Sequence, residues 1–162
     1  MGKITRYHEP NTPYFITTVT DKRKKVFTDK LACELLINVL TYNKFYCDYS
    51  VYGFVIMPDH LHLILQPHGT MEISQIIKKN KANFTRYYNK MNNSKGTIWQ
   101  PGFYDRGLKG MKSVKETLEY IHNNPLRKSL VDDIREYEYS SYNYYANTQK
   151  RFQLLLKPLA IE

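Results

Sequence analysis

A chain of 162 residues with 42% hydrophobic and 14% aromatic content can bury a substantial core, which excludes an intrinsically disordered protein. Its 24 Lys and Arg against 15 Asp and Glu leave a net charge of +9, which favours a polyanionic partner, nucleic acid before an anionic membrane surface. No apolar stretch approaches the roughly 20 residues that span a bilayer, and residues 1–6 lack the apolar segment of a signal peptide, so a cytoplasmic setting without membrane contact is expected.

In chain order, residues 14–20 (YFITTVT) are rich in β-branched and aromatic types and predict a first strand. A polar loop follows over 21–25. Thr28 or Asp29 can then cap a helix whose apolar face recurs at Ala32, Leu35, Leu36, Val39 and Leu40. Residues 48–57 predict a second strand, and Met57-Pro58-Asp59 breaks it. A third strand over 60–66 follows so closely that the pair must form an antiparallel hairpin. From 73 to 91 the period becomes helical, with Ile73, Ile76, Ile77, Phe84, Tyr87, Tyr88 and Met91 on one arc. Residues 99–109 predict a loop leading into a short strand. Ser113 and Glu116 form a capping-box pattern at the start of a helix over 113–124, stopped by Pro125. The tail from Val131 is Tyr-rich, then apolar at Leu154, Leu155 and Leu156, and is expected to pack on the edge of the domain. Cys33 and Cys47 are too few for a disulfide framework and are expected as buried thiols. With no internal repeat or linker, residues 1–162 are expected to form a single domain. The β-α-β-β-α-β-α order predicts an α+β fold, a ferredoxin-like antiparallel sheet with helices packed mainly on one face.

Two features of this scaffold carry chemistry. His60 and His62 stand two apart in a strand, so both imidazoles project from one face. They supply two-thirds of a divalent-metal site, or a contact for phosphate. In the helix over 113–124, Val114, Leu118 and Ile121 form the stripe that should dock on the sheet. Tyr120 lies on one flank of that stripe, Asn124 one turn further on the same flank, and His122 on the other. A cation held by two imidazoles and an amide oxygen keeps positions open for a phosphate oxygen. A tyrosine beside it is a reasonable nucleophile, because phenoxide is also a tolerable leaving group and the bond it forms can be reversed. No single base for the phenol is evident. Taken alone, each residue has a structural reading too: a packed histidine pair, a core-edge tyrosine, an asparagine closing a helix.

His60-Leu-His62 after Met57-Pro-Asp, then Trp99-Gln-Pro-Gly-Phe-Tyr-Asp-Arg106, then Glu119-Tyr-Ile-His-Asn-Asn-Pro-Leu-Arg127, closely resemble the single-tyrosine HUH transposases of the insertion-sequence-200 type. The Tyr-x-x-x-Asn-Pro arrangement, with Ser140-Ser-Tyr142 downstream, is most similar to the branch associated with REP repeats. The resemblance runs from about Tyr14 to Tyr145. It implies a ferredoxin-like fold, His60, His62 and Asn124 as ligands of Mg²⁺ or Mn²⁺, and Tyr120 as nucleophile. It also implies a bacterial, nucleoid-associated enzyme that nicks and rejoins single-stranded DNA near hairpins or palindromic repeats, through a 5′-phosphotyrosine and a free 3′-hydroxyl. The mobile-element branch typically has Gln as third ligand, and Asn124 departs from it. Both monomers and homodimers occur among such proteins, and in a dimer Tyr120 can act across subunits.

The candidate DNA-binding residues are basic. Six lie between residues 73 and 95, where no acid occurs; Lys79, Arg86 and Lys90 line one flank of the helical arc, and Lys81 belongs to the same block. Arg106 and Arg127 bracket the proposed chemistry and can bind the scissile or a neighbouring phosphate, while aromatics such as Tyr104 can stack on unpaired bases. Two other functions compete with the transposase: a non-catalytic, domesticated DNA-hairpin-binding protein, and a metal-dependent phosphodiesterase using water. The first has no need of an intact His60, His62, Tyr120 and Asn124 set.

Overall fold

The computed structural model describes residues 8–146 and 148–159, so the reading of residues 1–6 lies outside the described residues. Strand β1 (Tyr14–Val19) passes through short 3-10 turns into helix α1 (Lys30–Cys47), which Asp29 caps by accepting the Leu31 N–H. Strands β2 (Tyr49–Met57) and β3 (His60–Pro67) form the expected hairpin, with Met57 paired to His60. Helix α2 (Ile73–Met91) follows, then β4 (Tyr104–Gly107), helix α3 (Gly110–His122) and one-turn helices α4 (Asn124–Arg127) and α5 (Tyr142–Tyr145). The four strands order as β2-β3-β1-β4 with every pairing antiparallel, the arrangement of a ferredoxin-like sheet.

Side-chain alternation divides the core into two layers. Tyr14, Ile16, Leu61, Leu63 and Leu65 point to one face, where α1 and α2 cover them together with Phe27 and Trp99. Phe15, Val55, Met57 and Ile64 point to the other, where Val114, Leu118 and Ile121 of α3 dock as the helical stripe predicts. The two long helices thus share a face, and α3 takes the opposite one. His60 and His62 alternate in register with Ile64, so they emerge on the α3 side.

Two local features bring α3 close. A bulge at Tyr52 shifts the register of β2 between Val51 and Gly53. Gly53 then faces α3, and a Cβ there would overlap Leu118 Cδ1. The start of α3 corrects the sequence reading: the helix begins at Gly110, at φ +78°, and Ser113 lies inside it, accepting the Thr117 hydroxyl at its carbonyl. Glycine supplies the left-handed turn that starts the helix, so no side-chain cap at Ser113 is needed. A reciprocal bond of that kind occurs instead at α2, where the Glu72 N–H donates to Gln75 Oε1.

The tail packs where expected. Beyond Val131 it lies along the outer edge of β2: the Ile56 N–H donates to the Tyr139 carbonyl, Ser141 to that of Phe54 and Lys157 to that of Val51. The tyrosines contribute through their hydroxyls, Tyr137 donating to the Ile56 carbonyl and Tyr145 to that of Tyr52. Both cysteines are free and buried.

Candidate active site

The first histidine is fixed by the turn that precedes it. Asp59 Oδ1 accepts from His60 Nδ1 at 2.6 Å while Asp59 Oδ2 accepts from Arg23 at 3.1 Å. Burial pushes the Asp59 carboxyl up, but these two hydrogen bonds and the charges behind them outweigh it and hold the group below the usual carboxylate range. The second histidine is fixed across the sheet, its Nδ1 lying 2.8 Å from the hydroxyl of Thr17, its register partner on β1. With both Nδ1 atoms engaged, the two Nε2 atoms converge to 3.2 Å. Burial, then the neighbouring His60, drive the His62 imidazole down to about 3, so it stays neutral and keeps a lone pair at ordinary pH.

This donor set suits a divalent cation. Two Nε2 lone pairs aimed at a common point repel unless a proton or a cation lies between them, and outer partners such as Asp59 and Thr17 are what orient ligating imidazoles. Among the described residues no cluster of three His, Cys, Asp or Glu exists, so these two imidazoles have no third partner of those types. Asn124 carries an amide oxygen that could serve as a further donor. It is buried and lines the same cleft of about 430 Å³ as His60, His62 and Tyr120.

Tyr120 lines this cleft and is 46% exposed. Its ring meets His62 edge-on at 6.4 Å and Phe15 at 6.2 Å between centroids, and the Arg127 guanidinium lies 5.0 Å from its centre. A second cleft of about 580 Å³ adjoins the first, sharing Thr17, His62 and Tyr120 and adding Tyr104 and Arg106. Tyr120 therefore lines both halves of the trough that these adjoining clefts make.

The structure brings together His60, His62, Tyr120, Asn124 and Arg127, with Arg106 next door. It separates the basic residues of α2 from them, because α2 covers the opposite face of the sheet. There Lys79 lies over the Tyr46 ring and Arg86 over Tyr87, and Lys90 is exposed near the end of the helix. Lys81 turns inward, its ammonium donating to the carbonyls of Gln100 and Gly102, and burial lowers its pKa. Conversely, Arg23, Lys25 and Lys128 line the histidine cleft although sequence reasoning did not single them out. Arg23 and Lys25 are far from His60 in the chain, and only the pairing of Val19 with His60 reveals their approach.

Comparison with known proteins agrees with this fold. Residues 9–124, spanning every element from β1 to the asparagine at the end of the trough, match the family described as Transposase IS200 like. The chain belongs to the IS200-like transposases. Within that family it is similar to the REP-associated tyrosine transposase of Escherichia coli K12, 23% identical over 145 residues that cover 88% of this chain and 84% of that protein. A solved structure of a REP-associated tyrosine transposase bound to a REP hairpin superposes with a TM-score of 0.77. The superposition covers 100% of this chain and 94% of that one at 20% identity, and so shares the fold of this IS200-like chain. A second solved structure, from Deinococcus radiodurans, aligns with a TM-score of 0.52 at 21% identity, over 76% of this chain and 97% of that one. Among the described residues, no helix is long and apolar enough to cross a membrane.

Proposed function

We propose that this transposase cuts and rejoins single-stranded DNA beside a hairpin, with Tyr120 as nucleophile and His60, His62 and Asn124 as the protein ligands of Mg²⁺ or Mn²⁺. The observation that carries the reading is one cleft holding two convergent imidazole nitrogens 3.2 Å apart and a tyrosine whose ring is 6.4 Å from His62. The similar protein solved with a REP hairpin supports a hairpin as the DNA feature recognised.

The residues divide the work. Arg127, Lys128, Arg23 and Lys25 surround the cleft with positive charge and draw in a phosphate. His60, His62 and Asn124 would hold the divalent cation, which when bound would supply polarisation of a phosphoryl oxygen. The Tyr120 oxygen attacks phosphorus and the bond to the 3′-oxygen breaks; the phenolic proton passes to solvent, and the departing 3′-oxygen takes one up. One phosphodiester replaces another, so a 3′-hydroxyl can later attack the phosphotyrosine and release the phenol. Asp59 and Thr17 hold the imidazoles in place throughout.

The test is a labelled single strand carrying a hairpin, incubated with Mn²⁺ and resolved under denaturing conditions. A covalent protein–DNA adduct is expected from wild type, and none from Tyr120→Phe or after chelation. No adduct on any hairpin strand from a wild type that binds no better than Tyr120→Phe would overturn the catalytic reading in favour of a binder. Cleavage retained by Tyr120→Phe would assign the attack to water. Sedimentation of the same complexes separates a monomer from a homodimer.

A further inference from the structure

The aromatic and basic groups on the far side of the sheet have no role in the chemistry above. Helices α1 and α2 run antiparallel there, Asn43 bonding to Asn80 and Asn83 between them. Their outer surface forms a groove of about 570 Å³. Tyr42, Tyr46 and Tyr87 stand along it, 71%, 67% and 44% exposed. Two of these rings carry a cation: Lys79 Nζ lies 4.1 Å from the centre of Tyr46, and the Arg86 guanidinium 4.8 Å from that of Tyr87. Asn83 also lines the groove, and among the described residues no acid does.

We propose that this groove binds a second, unpaired stretch of the DNA substrate, on the face of the protein opposite the histidines. The proposal rests on the reading of the chain as a DNA-processing transposase. Lys79 and Arg86 are seven residues apart on α2, two turns or about 10 Å along one side of the helix. They offer a charge to successive backbone segments while the tyrosine rings offer faces to bases. Exposed rings interleaved with cations suit an unpaired strand, whose bases are free to stack; a duplex hides those faces. A second copy of the chain is a poor occupant. An isologous contact would bring the two cations of one groove toward the same two cations of the other copy, and among the described residues no acid in the groove offsets them. A strand held on both faces must pass around the sheet, so unpaired DNA flanking a hairpin would be held at two points.

The test uses full-length protein carrying Tyr120→Phe, in EDTA, so binding is read without any chemistry at Tyr120. A failed adduct assay leaves this result untouched, and failure here leaves the adduct assay untouched. An oligothymidine of about 20 nucleotides bearing photoreactive 4-thiothymidine is expected to crosslink to peptides containing Tyr42, Tyr46 or Tyr87. Replacing all three by Ser should weaken its binding at least about tenfold, while heparin, which has charge but no bases, binds as before. The substituted side chains are exposed, and an unchanged melting temperature checks that the variant folds. Crosslinks confined to the histidine trough, or unaltered oligothymidine binding by the triple variant, would overturn the proposal. So would an equal loss of heparin binding, tighter binding of oligouridine than of oligothymidine, or a wild-type dimer that the triple variant dissolves.

Discussion

His122 shares α3 with Tyr120 but turns the other way, its Nε2 lying 2.7 Å from the hydroxyl of Ser141, which also contacts the backbone of Phe54. Burial drives this imidazole down to about 4, so it folds neutral. An unfolded chain with an ordinary histidine pKa near ~6.5 binds a proton there first. Stability from this residue is therefore complete above about pH 6.5 and is lost as the pH falls toward 4, by roughly 3 kcal/mol in all. Urea unfolding in EDTA should show wild type losing stability over that window and His122→Gln losing less of it. Asp59 supports a different prediction. Removing the carboxylate that holds His60 Nδ1 in Asp59→Ala should weaken Mn²⁺ binding by about 10–100-fold, as read by calorimetry. The pairings of His60 with His62 and of Tyr120 with Asn124 were legible from a two-residue spacing within β3 and a four-residue spacing across the junction of α3 and α4, while the roles given to them followed from the family resemblance. Thr17, Arg23 and Lys25 were not, because strand register brings them to the histidines and no local pattern records it.

At the level of elements, Gly53 controls how near α3 can come to the sheet. Gly53→Ala forces the new methyl into Leu118, and overpacking of this kind costs about 1–3 kcal/mol. Because Tyr120 is two residues from Leu118 on the same helix, the variant should also give less adduct with Tyr120 itself intact; denaturation and gel assays read the two effects separately. Both long helices followed from periodicity, since each buries one face on the sheet, while strands β1 to β3, covered on both faces, followed from their apolar, β-branched and aromatic runs. The beginning of α3 did not. A Ser-x-x-Glu pattern advertises a helix start at Ser113, whereas the turn is made three residues earlier by Gly110, whose permissive backbone leaves little trace in composition. Lys81 misleads for a related reason: a wheel places it in a basic block, but only the packed loop before β4 shows its ammonium tied to two carbonyls.

Across the molecule, a net charge of +9 makes DNA binding depend on salt. Each phosphate contact to a single strand should add about 0.7 to the slope of log affinity against log salt, so Arg127→Ala should flatten that slope by roughly this amount. Titrations of the Tyr120→Phe protein at several ionic strengths measure it. The seam between β2 and the tail has a consequence for biosynthesis. Phe54 and Ser141, which join there, are 87 positions apart. During translation the hairpin therefore leaves the ribosome with one flank bare and must wait several seconds, at about 5–20 residues per second, for the segment that sheathes it. In that interval its unpaired amides are open to any neighbouring nascent chain. Expression at lower temperature or with a holdase should raise the soluble yield, and a chain stalled before Ser140 should aggregate.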